Sequence, residues 1–408
     1  MVTSNFSQEL EARLEAWQGQ GLRRELHGLD GGQAPHIQMN GARVLNFSSN
    51  DYLGLANDAA VSQAARQALD RFGVGAGASR LICGSLPPHQ ELEKVLAAYK
   101  GTEAALTFPA GYMAALGTVT ALMGRGDFIV IDKLAHACLV DAARLAGARL
   151  RVFPHNDPEG LRRILRWIDR REPESMVARP RRVLVVTESV FSMDGDFAPL
   201  RELVEIKDRH GAWLMVDEAH ATGLYGSNGR GLVEASGLEG RVEIQMGTLS
   251  KAVGAAGGYI AGSRLLVDYL VNRARTFIFT TAPMPVMAAA ATAALRFIQS
   301  PAGEQRRHAL WQRVAEARSG LGLEPGKAGS GLSAIIPLAV GDETAAMRQS
   351  AWLRSQGFLI PAVRYPAVAR GRARLRLTVS AAHSAQDVER LVAVLSRMSE
   401  EQQVGAGP

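Results

Sequence analysis

The sequence predicts an α/β protein in which a large domain with a mostly parallel sheet, covered by helices, is followed by a smaller C-terminal α+β domain. Two observations support this fold class. Short apolar runs alternate with helical patterns through the middle of the chain, as in parallel sheets whose crossovers are helices. Several of these runs end abruptly in polar residues, as strands do at the carboxyl edge of such a sheet, where ligands bind.

A chain of 408 residues is long enough for more than one domain. We expect an N-terminal arm over residues 1–50, a large domain over 51–290, a small C-terminal domain over 291–398 and a polar, Gly-rich tail over 399–408. The arm begins with the pattern of an amphipathic helix, for which Ser4 or Ser7 could be the N-cap. We see no internal repeats.

The composition is that of an ordinary globular protein, with 47% hydrophobic and 21% charged residues. Cys83 and Cys138 are the two cysteines, so we expect no disulfide framework and a reducing, cytoplasmic location. Cys138 is interpreted as a small buried residue rather than a reactive thiol. The N-terminus does not have the pattern of a signal peptide. The most apolar run, residues 284–295, is shorter than a membrane span and predicts a buried helix, so we expect no membrane association.

The net charge of +6 raises the possibility of nucleic-acid binding. The basic residues concentrate at Arg162, Arg163, Arg166, Arg170, Arg171, Arg179, Arg181 and Arg182. We interpret this cluster as a solvated helix face and a turn before a strand, and we predict no nucleic-acid partner. A moderately basic surface could still attract an anionic acyl carrier or coenzyme A.

Polar side chains follow three of the apolar runs at the point where each run ends. Asp217 and His220 follow residues 212–216, Ser192 follows residues 183–187, and His136 follows residues 128–131. Because parallel strands end at the same edge of a sheet, we expect these groups to lie along one rim.

Lys251 lies among Gly, Ala and other small or apolar residues, with no carboxylate near it in sequence. Burial in such surroundings lowers the pKa of a lysine and leaves a free amine that can attack a carbonyl. The ordinary alternative is a solvated loop lysine. The polar groups at the preceding strand ends favour the reactive amine.

The segment 73–77 (GVGAG) superficially has the glycine pattern of a dinucleotide-binding turn. Such a turn must follow a strand, whereas residues 59–72 before it have a helical pattern. The interpretation as a Rossmann fold therefore fails.

Six sequence blocks, in this order and spacing, resemble the α-oxoamine synthases, pyridoxal-phosphate enzymes of aminotransferase fold type I. The blocks are residues 45–55 (LNFSSNDYLGL), 75–80 (GAGASR), 188–196 (ESVFSMDGD), 217–220 (DEAH), 248–251 (TLSK) and 373–378 (ARLRLT). The resemblance covers nearly the whole chain and implies pyridoxal 5'-phosphate as the cofactor, without a metal.

The resemblance also implies roles for residues of the rim. Lys251 matches the lysine that binds the cofactor covalently and then removes and returns the Cα proton of the amino acid. Asp217 matches the aspartate that faces the pyridine nitrogen and keeps it protonated. His220 and Ser192 match residues near the phenolic oxygen of the cofactor, and His136 matches the histidine stacked on its ring.

The cofactor phosphate would be bound by the hydroxyls of Thr248 and Ser250. The backbone N–H groups of Gly111 and Tyr112 would also bind it, provided that residues 109–112 open a helix.

Thr280 and Thr281 match positions that reach the phosphate from a partner subunit, and Asn50 matches one near the lysine from across the interface. A homodimer with shared active sites is therefore implied. Arg376 matches the arginine that binds the amino-acid carboxylate, a task that suits its planar fork. The segment 370–376 holds four arginines, and Arg374 would share a strand face with Arg376. An exposed strand edge is the structural alternative.

The implied reaction is a decarboxylative Claisen condensation of L-alanine with a pimeloyl thioester, of coenzyme A or an acyl carrier protein, giving 8-amino-7-oxononanoate for biotin synthesis. Glycine C-acetyltransferase, 5-aminolevulinate synthase and serine palmitoyltransferase share the same machinery and remain alternatives. Tyr365 stands where the biotin-type sequences often have proline. A scaffolding or binding protein on the same fold is a non-enzymatic alternative, which the presence of Lys251, Asp217 and His220 disfavours.

Overall fold

The computed structural model describes residues 5–170, 181–323 and 332–404. Its strands are β1 Leu29–Asp30, β2 His36–Met39, β3 Ala42–Asn46, β4 Ala104–Phe108, β5 Phe128–Asp132, β6 Arg149–Phe153, β7 Val183–Glu188, β8 Trp213–Asp217, β9 Ile244–Thr248, β10 Gly258–Gly262, β11 Ile335–Gly341, β12 Phe358–Leu359, β13 Ala362–Val363 and β14 Ala373–Thr378. Its α-helices are α1 Asn5–Gly19, α2 Ala59–Phe72, α3 Pro87–Lys100, α4 Gly111–Leu122, α5 Ala137–Leu145, α6 Pro158–Asp169, α7 Leu200–Arg209, α8 Leu232–Ala235, α9 Arg264–Arg273, α10 Arg275–Ile278, α11 Pro285–Ile298, α12 Pro301–Gly320, α13 Glu343–Ser355 and α14 Ala385–Val404.

A seven-stranded sheet with the order β4-β10-β9-β8-β7-β5-β6 forms the centre of the molecule. The neighbours from β9 to β6 pair in parallel, whereas β10 runs antiparallel to both β9 and β4. The predicted mostly parallel sheet is therefore confirmed. Its parallel strands bring their carboxyl ends to one edge, which places the polar residues that follow them on a common rim.

Helices cover both faces of this sheet. Ile129 of β5 belongs to a buried cluster with residues of α4 and α5, whereas its neighbour Val130 belongs to one with residues of α6 and α7. Successive strand residues point to opposite faces, so a strand that is apolar at every position must be buried on both sides. This explains the continuous apolar runs of the sequence.

Two smaller sheets involve the ends of the chain. One has the order β11-β14-β13, and the other has the order β1-β2-β3-β12. Because β12 pairs in parallel with β3, strands of the predicted N-terminal arm share a sheet with the C-terminal part of the chain. A side-chain contact also links these two parts of the chain, because Nε2 of His383 lies 2.9 Å from the carbonyl oxygen of Asn46. The proposed domain boundaries remain a prediction.

Several local predictions can be compared with the structure. The helix predicted over residues 59–72 is α2, and the buried helix predicted over 284–295 is α11. Ser7 lies inside α1, so it is not the N-cap, and Ser4 lies outside the described residues. The helical backbone of α14 continues to Val404, past the start of the predicted tail at residue 399.

The basic cluster predicted as a solvated helix face begins on α6, and its members between residues 171 and 180 lie outside the described residues. Throughout the described ranges, no helix has the length and hydrophobicity needed to cross a bilayer.

Candidate active site

The rim is built where β7, β8 and β9 end. Glu188 and Asp217 are direct partners on the parallel strands β7 and β8, so their side chains leave the sheet side by side. Lys251 follows the end of β9, the next strand in the sheet. The adjacent ends of these strands therefore bring two carboxyl groups and an amine together.

Lys251, His220 and Tyr52 form a continuous chain of contacts. The Nζ atom of Lys251 lies 2.7 Å from Nε2 of His220, and Nδ1 of that ring lies 2.7 Å from the hydroxyl of Tyr52. Burial lowers the pKa of Lys251, against the opposing charges of Asp217 and Glu188. Burial, reinforced by Lys251, holds the pKa of His220 well below its usual range. A neutral imidazole therefore contacts an amine that loses its proton more easily than an ordinary lysine.

Asp217 is buried at the end of β8, where its Oδ1 accepts the backbone N–H of Ala219 at 2.9 Å. Burial raises the pKa of Asp217, and the charges of Lys251 and His136 oppose that rise. This carboxylate would be stabilised by a cation placed against it. A protonated pyridine nitrogen is such a cation.

His136 is the N-cap of α5, and its Nδ1 accepts the backbone N–H of Cys138 at 3.2 Å. The residue as a whole is exposed, which leaves it accessible to a bound group. Burial lowers the pKa of His136, while Asp217 raises it and Lys251 lowers it. The three groups therefore lie within electrostatic reach of one another. Cys138 is buried beside them, as predicted.

Arg376 is buried in the middle of β14. Its Nε donates to the carbonyl oxygen of Ser192 at 2.7 Å, and Nη1 donates to Oδ1 of Asn50 at 3.1 Å. The hydroxyl of Tyr52 lies 3.5 Å from Nη2. In the described part of the chain, this guanidinium forms no ion pair with a carboxylate. A buried cation bonded to neutral groups is suited to receive an anionic substrate.

The alternative arginine, Arg374, lies on the same strand but is already paired. Its Nη1 forms an ion pair with Asp194 and donates to the carbonyl oxygen of Met193 at 3.3 Å. The geometry therefore favours Arg376 as the carboxylate-binding residue and contradicts the exposed strand edge.

Asn50 lies beside the carboxylate-binding candidate Arg376. Within its own chain it contacts Arg376 and Tyr52. That it also lies near the lysine of a partner subunit, as the resemblance implies, stays a prediction. The intrachain contacts arise because the segment 46–52 packs along β14 and the residues that follow it, where the hydroxyl of Ser380 donates to the carbonyl oxygen of Asp51 at 2.8 Å.

The groups predicted to bind a phosphate also converge. Helix α4 begins at Gly111, as the prediction required, so its first N–H groups have no partner within the helix. A Cβ added to Gly111 would lie 3.6 Å from Cβ of Thr248. The Thr248 hydroxyl in turn lies 2.8 Å from that of Ser250. Two hydroxyls therefore lie beside a helix N-terminus, an arrangement that suits phosphate. The side chain of Tyr112 points elsewhere, with its hydroxyl donating to Asp141 at 2.5 Å.

Thr280 and Thr281 lie apart from this cluster of contacts. Thr281 forms an isolated β-bridge with Ser79, and the hydroxyl of Thr280 donates to the carbonyl oxygen of Thr281 at 3.4 Å. Neither contact joins them to the Lys251 site of the same chain. The preceding residue, Phe279, is an exposed aromatic side chain.

Sequence reasoning missed two groups of the site. Tyr52 was part of a matching block, but its spacing gave no sign that it reaches His220. Glu188 ends β7 as Asp217 ends β8, and that parallel was an available signal. Burial, followed by the charge of Asp217, raises the pKa of Glu188 well above its usual value. Its Oε1 has no hydrogen-bond partner within the described chain.

The residues present fit pyridoxal phosphate. The Lys251 amine, with its lowered pKa, suits the cofactor aldehyde, and the buried carboxylate of Asp217 suits the pyridine nitrogen. The N-terminus of α4, together with the two hydroxyls beside it, suits the phosphate. Oε1 of Glu188, buried at this site without a hydrogen-bond partner in the described chain, is consistent with a bound group there.

Comparison with known proteins gives an independent result. Residues 42–395 match the sequence profile described as aminotransferase class I and II. The chain is 47% identical over 386 residues to the 8-amino-7-oxononanoate synthase of Anaeromyxobacter sp. (strain K), with 94% of each chain covered. It is 45% identical over 396 residues to that of Alcanivorax borkumensis, with 95% of this chain and 98% of the relative covered. The serine palmitoyltransferase of Sphingomonas wittichii has a similar structure, with a TM-score of 0.88, 33% identity and 98% of each chain covered.

The matches span both the sheet and the C-terminal strands, so they confirm the predicted fold, cofactor and enzyme class together. The chain belongs to the aminotransferase class I and II family and, within it, to the pyridoxal-phosphate-dependent α-oxoamine synthases, which are acyltransferases.

Proposed function

We propose that this enzyme condenses L-alanine with a pimeloyl thioester, of coenzyme A or an acyl carrier protein, to give 8-amino-7-oxononanoate, carbon dioxide and the free thiol in biotin synthesis. The observation that carries the proposal is the identity of 42–47% over more than nine-tenths of the chain to relatives named 8-amino-7-oxononanoate synthase. The serine palmitoyltransferases are less similar in sequence, at 29–33%.

The cofactor residues are proposed from the site geometry and the family match. Lys251 would hold pyridoxal phosphate through its amine, with His136 against the ring and Asp217 at the pyridine nitrogen. His220 and Ser192 would lie at the phenolic oxygen. The hydroxyls of Thr248 and Ser250, with the backbone N–H groups of Gly111 and Tyr112, would bind the phosphate. When bound, the cofactor withdraws electrons from Cα of the amino acid and makes its proton removable.

The chain's own residues supply binding and proton transfer. Arg376 binds the alanine carboxylate, and its fixed bonds to Ser192 and Asn50 orient the guanidinium before substrate arrives. Lys251 takes the Cα proton, because burial lowers the pKa of its amine and neutral His220 contacts that amine.

The overall bond changes are those of an acyl transfer with decarboxylation. The new carbon–carbon bond joins Cα of alanine to the thioester carbonyl carbon, and the thiol leaves. The alanine carboxylate then departs as carbon dioxide, and a proton takes its place at Cα. Exclusion of water from the site favours carbon–carbon bond formation before protonation, because solvent would otherwise protonate the attacking carbon before it reaches the thioester.

We also propose a homodimer in which Thr280 and Thr281 contact the phosphate bound in the partner subunit. These threonines follow Phe279 and lie beside the segment 79–84, where Leu81 and Ile82 are exposed. Exposed apolar side chains of this size near a polar rim are typical of protein interfaces. The cytoplasmic location remains a prediction from composition.

A product assay that pairs amino acids with acyl thioesters tests the function. L-alanine with pimeloyl thioester should have the highest kcat/KM. Slow turnover of glycine is compatible with the proposal, since one methyl group is worth only about 1–3 kcal/mol in a binding pocket. If acetyl-coenzyme A with glycine is the better pair, the enzyme is another α-oxoamine synthase, and Lys251 and the cofactor keep their roles.

A further inference from the structure

A second cluster of charged residues lies at the carboxyl ends of the strands, outside the residues assigned to catalysis. Nδ1 of His155 lies 2.9 Å from Oδ1 of Asp132, and Nε2 lies 2.8 Å from Oδ2 of Asp196. His155 follows β6, Asp132 ends β5, and Asp196 belongs to the loop after β7. One imidazole therefore joins the loops that follow three neighbouring strands of the central sheet.

The first of these contacts bears on the segment that carries His136. Asp132 is buried, and its Oδ1 also accepts the backbone N–H of Leu134 at 2.8 Å. Its Oδ2 accepts the backbone N–H of Asn156 at 2.9 Å. Asp132 therefore holds the backbone two residues before His136 and is itself held by His155.

The second contact bears on the turn that carries Ser192. The backbone of Asp196 accepts the N–H of Phe191 at 3.0 Å, and Gly195 donates to the carbonyl oxygen of Phe191 at 2.8 Å, so the turn closes on itself. The ring of Phe191 packs edge-on against that of His155, with centroids 4.4 Å apart. His155 thus holds this turn through both a charge and a ring contact.

The turn is also fixed from the opposite side. Gly195 has φ of 68°, and a Cβ added there would lie 2.5 Å from the carbonyl oxygen of Ile335 in β11. From this turn the Ser192 carbonyl reaches Nε of Arg376 at 2.7 Å. Burial lowers the pKa of His155, but the hydrogen bonds that its ring donates to Asp132 and Asp196 raise it to about 10. The imidazole of His155 is therefore cationic at neutral pH.

We propose that His155 is a positioning residue that fixes the Ser192 turn and the His136 segment relative to each other, and thereby sets the orientation of Arg376 for the amino-acid carboxylate. His155 touches neither substrate nor cofactor in this scheme and acts through Asp196 and Asp132. The inference rests on the proposed function in one respect, namely that an amino-acid carboxylate is the ligand of Arg376.

The test is a titration of the cofactor-loaded enzyme with L-alanine, followed by the absorption of the cofactor, in wild type and His155→Gln. We expect the dissociation constant of alanine to rise about tenfold or more, because small displacements of a positioning group have effects of this size. KM for alanine should rise in parallel, with KM for the acyl thioester changed by less than about twofold.

Two further variants separate positioning from general stability. His210→Gln is the matched control, because His210 is also bonded to an aspartate, Asp169. His210 lies just before the amino end of β8, away from the carboxyl ends that form the site, so this variant should leave alanine binding unchanged. Asp196→Asn breaks the bridge on its partly exposed side and should weaken alanine binding as His155→Gln does. If both act through one bridge, the double variant will lose less than the two single losses combined.

An unchanged alanine dissociation constant in His155→Gln, with only a lower melting temperature, would overturn the proposal, as would additive losses in the double variant. Should His155→Gln fail to fold, Asp196→Asn alone decides: unchanged alanine binding in that variant also overturns it. The titration contains no acyl donor. A failure of pimeloyl thioester as substrate would therefore refute the proposed function without affecting this result.

Discussion

The amine of Lys251 lies 2.7 Å from Nε2 of His220, and the other nitrogen of that imidazole lies 2.7 Å from the hydroxyl of Tyr52. Burial lowers the pKa of both Lys251 and His220. The contact therefore joins two groups that favour their neutral forms. A neutral amine is the form that can attack an aldehyde or accept a proton, so this relationship links the burial of the site to its chemistry.

Lys251→Ala should abolish condensation while pyridoxal phosphate still binds non-covalently, because the phosphate and ring contacts come from other residues. Wild type should be yellow as purified. Borohydride reduction followed by peptide mapping identifies the lysine that carries the cofactor. A pyridoxyl label on any lysine other than Lys251 would show that the site is assigned incorrectly.

Asp217→Asn should reduce activity far more than Ser192→Ala. The amide cannot stabilise a protonated pyridine nitrogen, whereas the Ser192 hydroxyl contributes one hydrogen bond worth about 0.5–1.5 kcal/mol. Exchange of the alanine Cα proton with deuterated solvent, followed by NMR without an acyl donor, measures this step directly. Equal losses in the two variants would rule out the assignment of Asp217 to the ring nitrogen.

Tyr52→Phe should lower kcat/KM about tenfold, because a buried imidazole nitrogen loses its partner at a cost of about 1–3 kcal/mol. Steady-state kinetics with alanine and the acyl thioester give the value. The matched control is Tyr269→Phe, which removes a hydroxyl bonded to the carbonyl oxygen of Ala121 on an exposed side chain. Similar losses in both variants would contradict a specific role for Tyr52.

Mixing two inactive variants tests the shared site of the proposed homodimer. One chain carries Lys251→Ala, and the other carries Thr280→Ala together with Thr281→Ala. If the threonines serve the partner's site, each hybrid dimer contains one intact site, and activity should reappear after the subunits exchange. Activity that stays at the level of the separate variants after proven exchange would place the threonines in their own chain's site.

The contribution of His155 to stability should decline as pH rises. Its pKa is about 10 in the folded chain against an ordinary value of 6.5. A raised folded-state pKa stabilises the protein fully below the unfolded pKa, and this stabilisation is lost as pH rises toward 10. In urea unfolding, the difference in free energy of unfolding between wild type and His155→Gln should therefore shrink from pH 6.5 to pH 10. A constant difference over this range would contradict the charged bridge.

Many residues of the candidate site could be predicted from the sequence, because they directly follow strands. Asp217 comes directly after an apolar run, and Lys251 lies in a stretch of small residues. These patterns are local, so they indicated both the sheet and its rim. The motif order then indicated the family, which the relatives confirm. The place of Asn50 relative to a partner subunit stays a prediction, because a motif match gives a residue's identity but not the chain whose site it enters.

The sequence by itself determined the strands, the helices that cover them and the types of side chain at the rim, since these depend on periodicity and on neighbours along the chain. Only the tertiary structure decided which distant groups meet. Tyr52 reaches His220 across 168 positions, and Arg376 reaches the Ser192 carbonyl across 184. Such contacts depend on how β14 and the segment 46–52 pack against the rim. The choice between Arg374 and Arg376 likewise depends on the ion pair of Arg374 with Asp194, a residue of the turn whose Asp196 contacts His155.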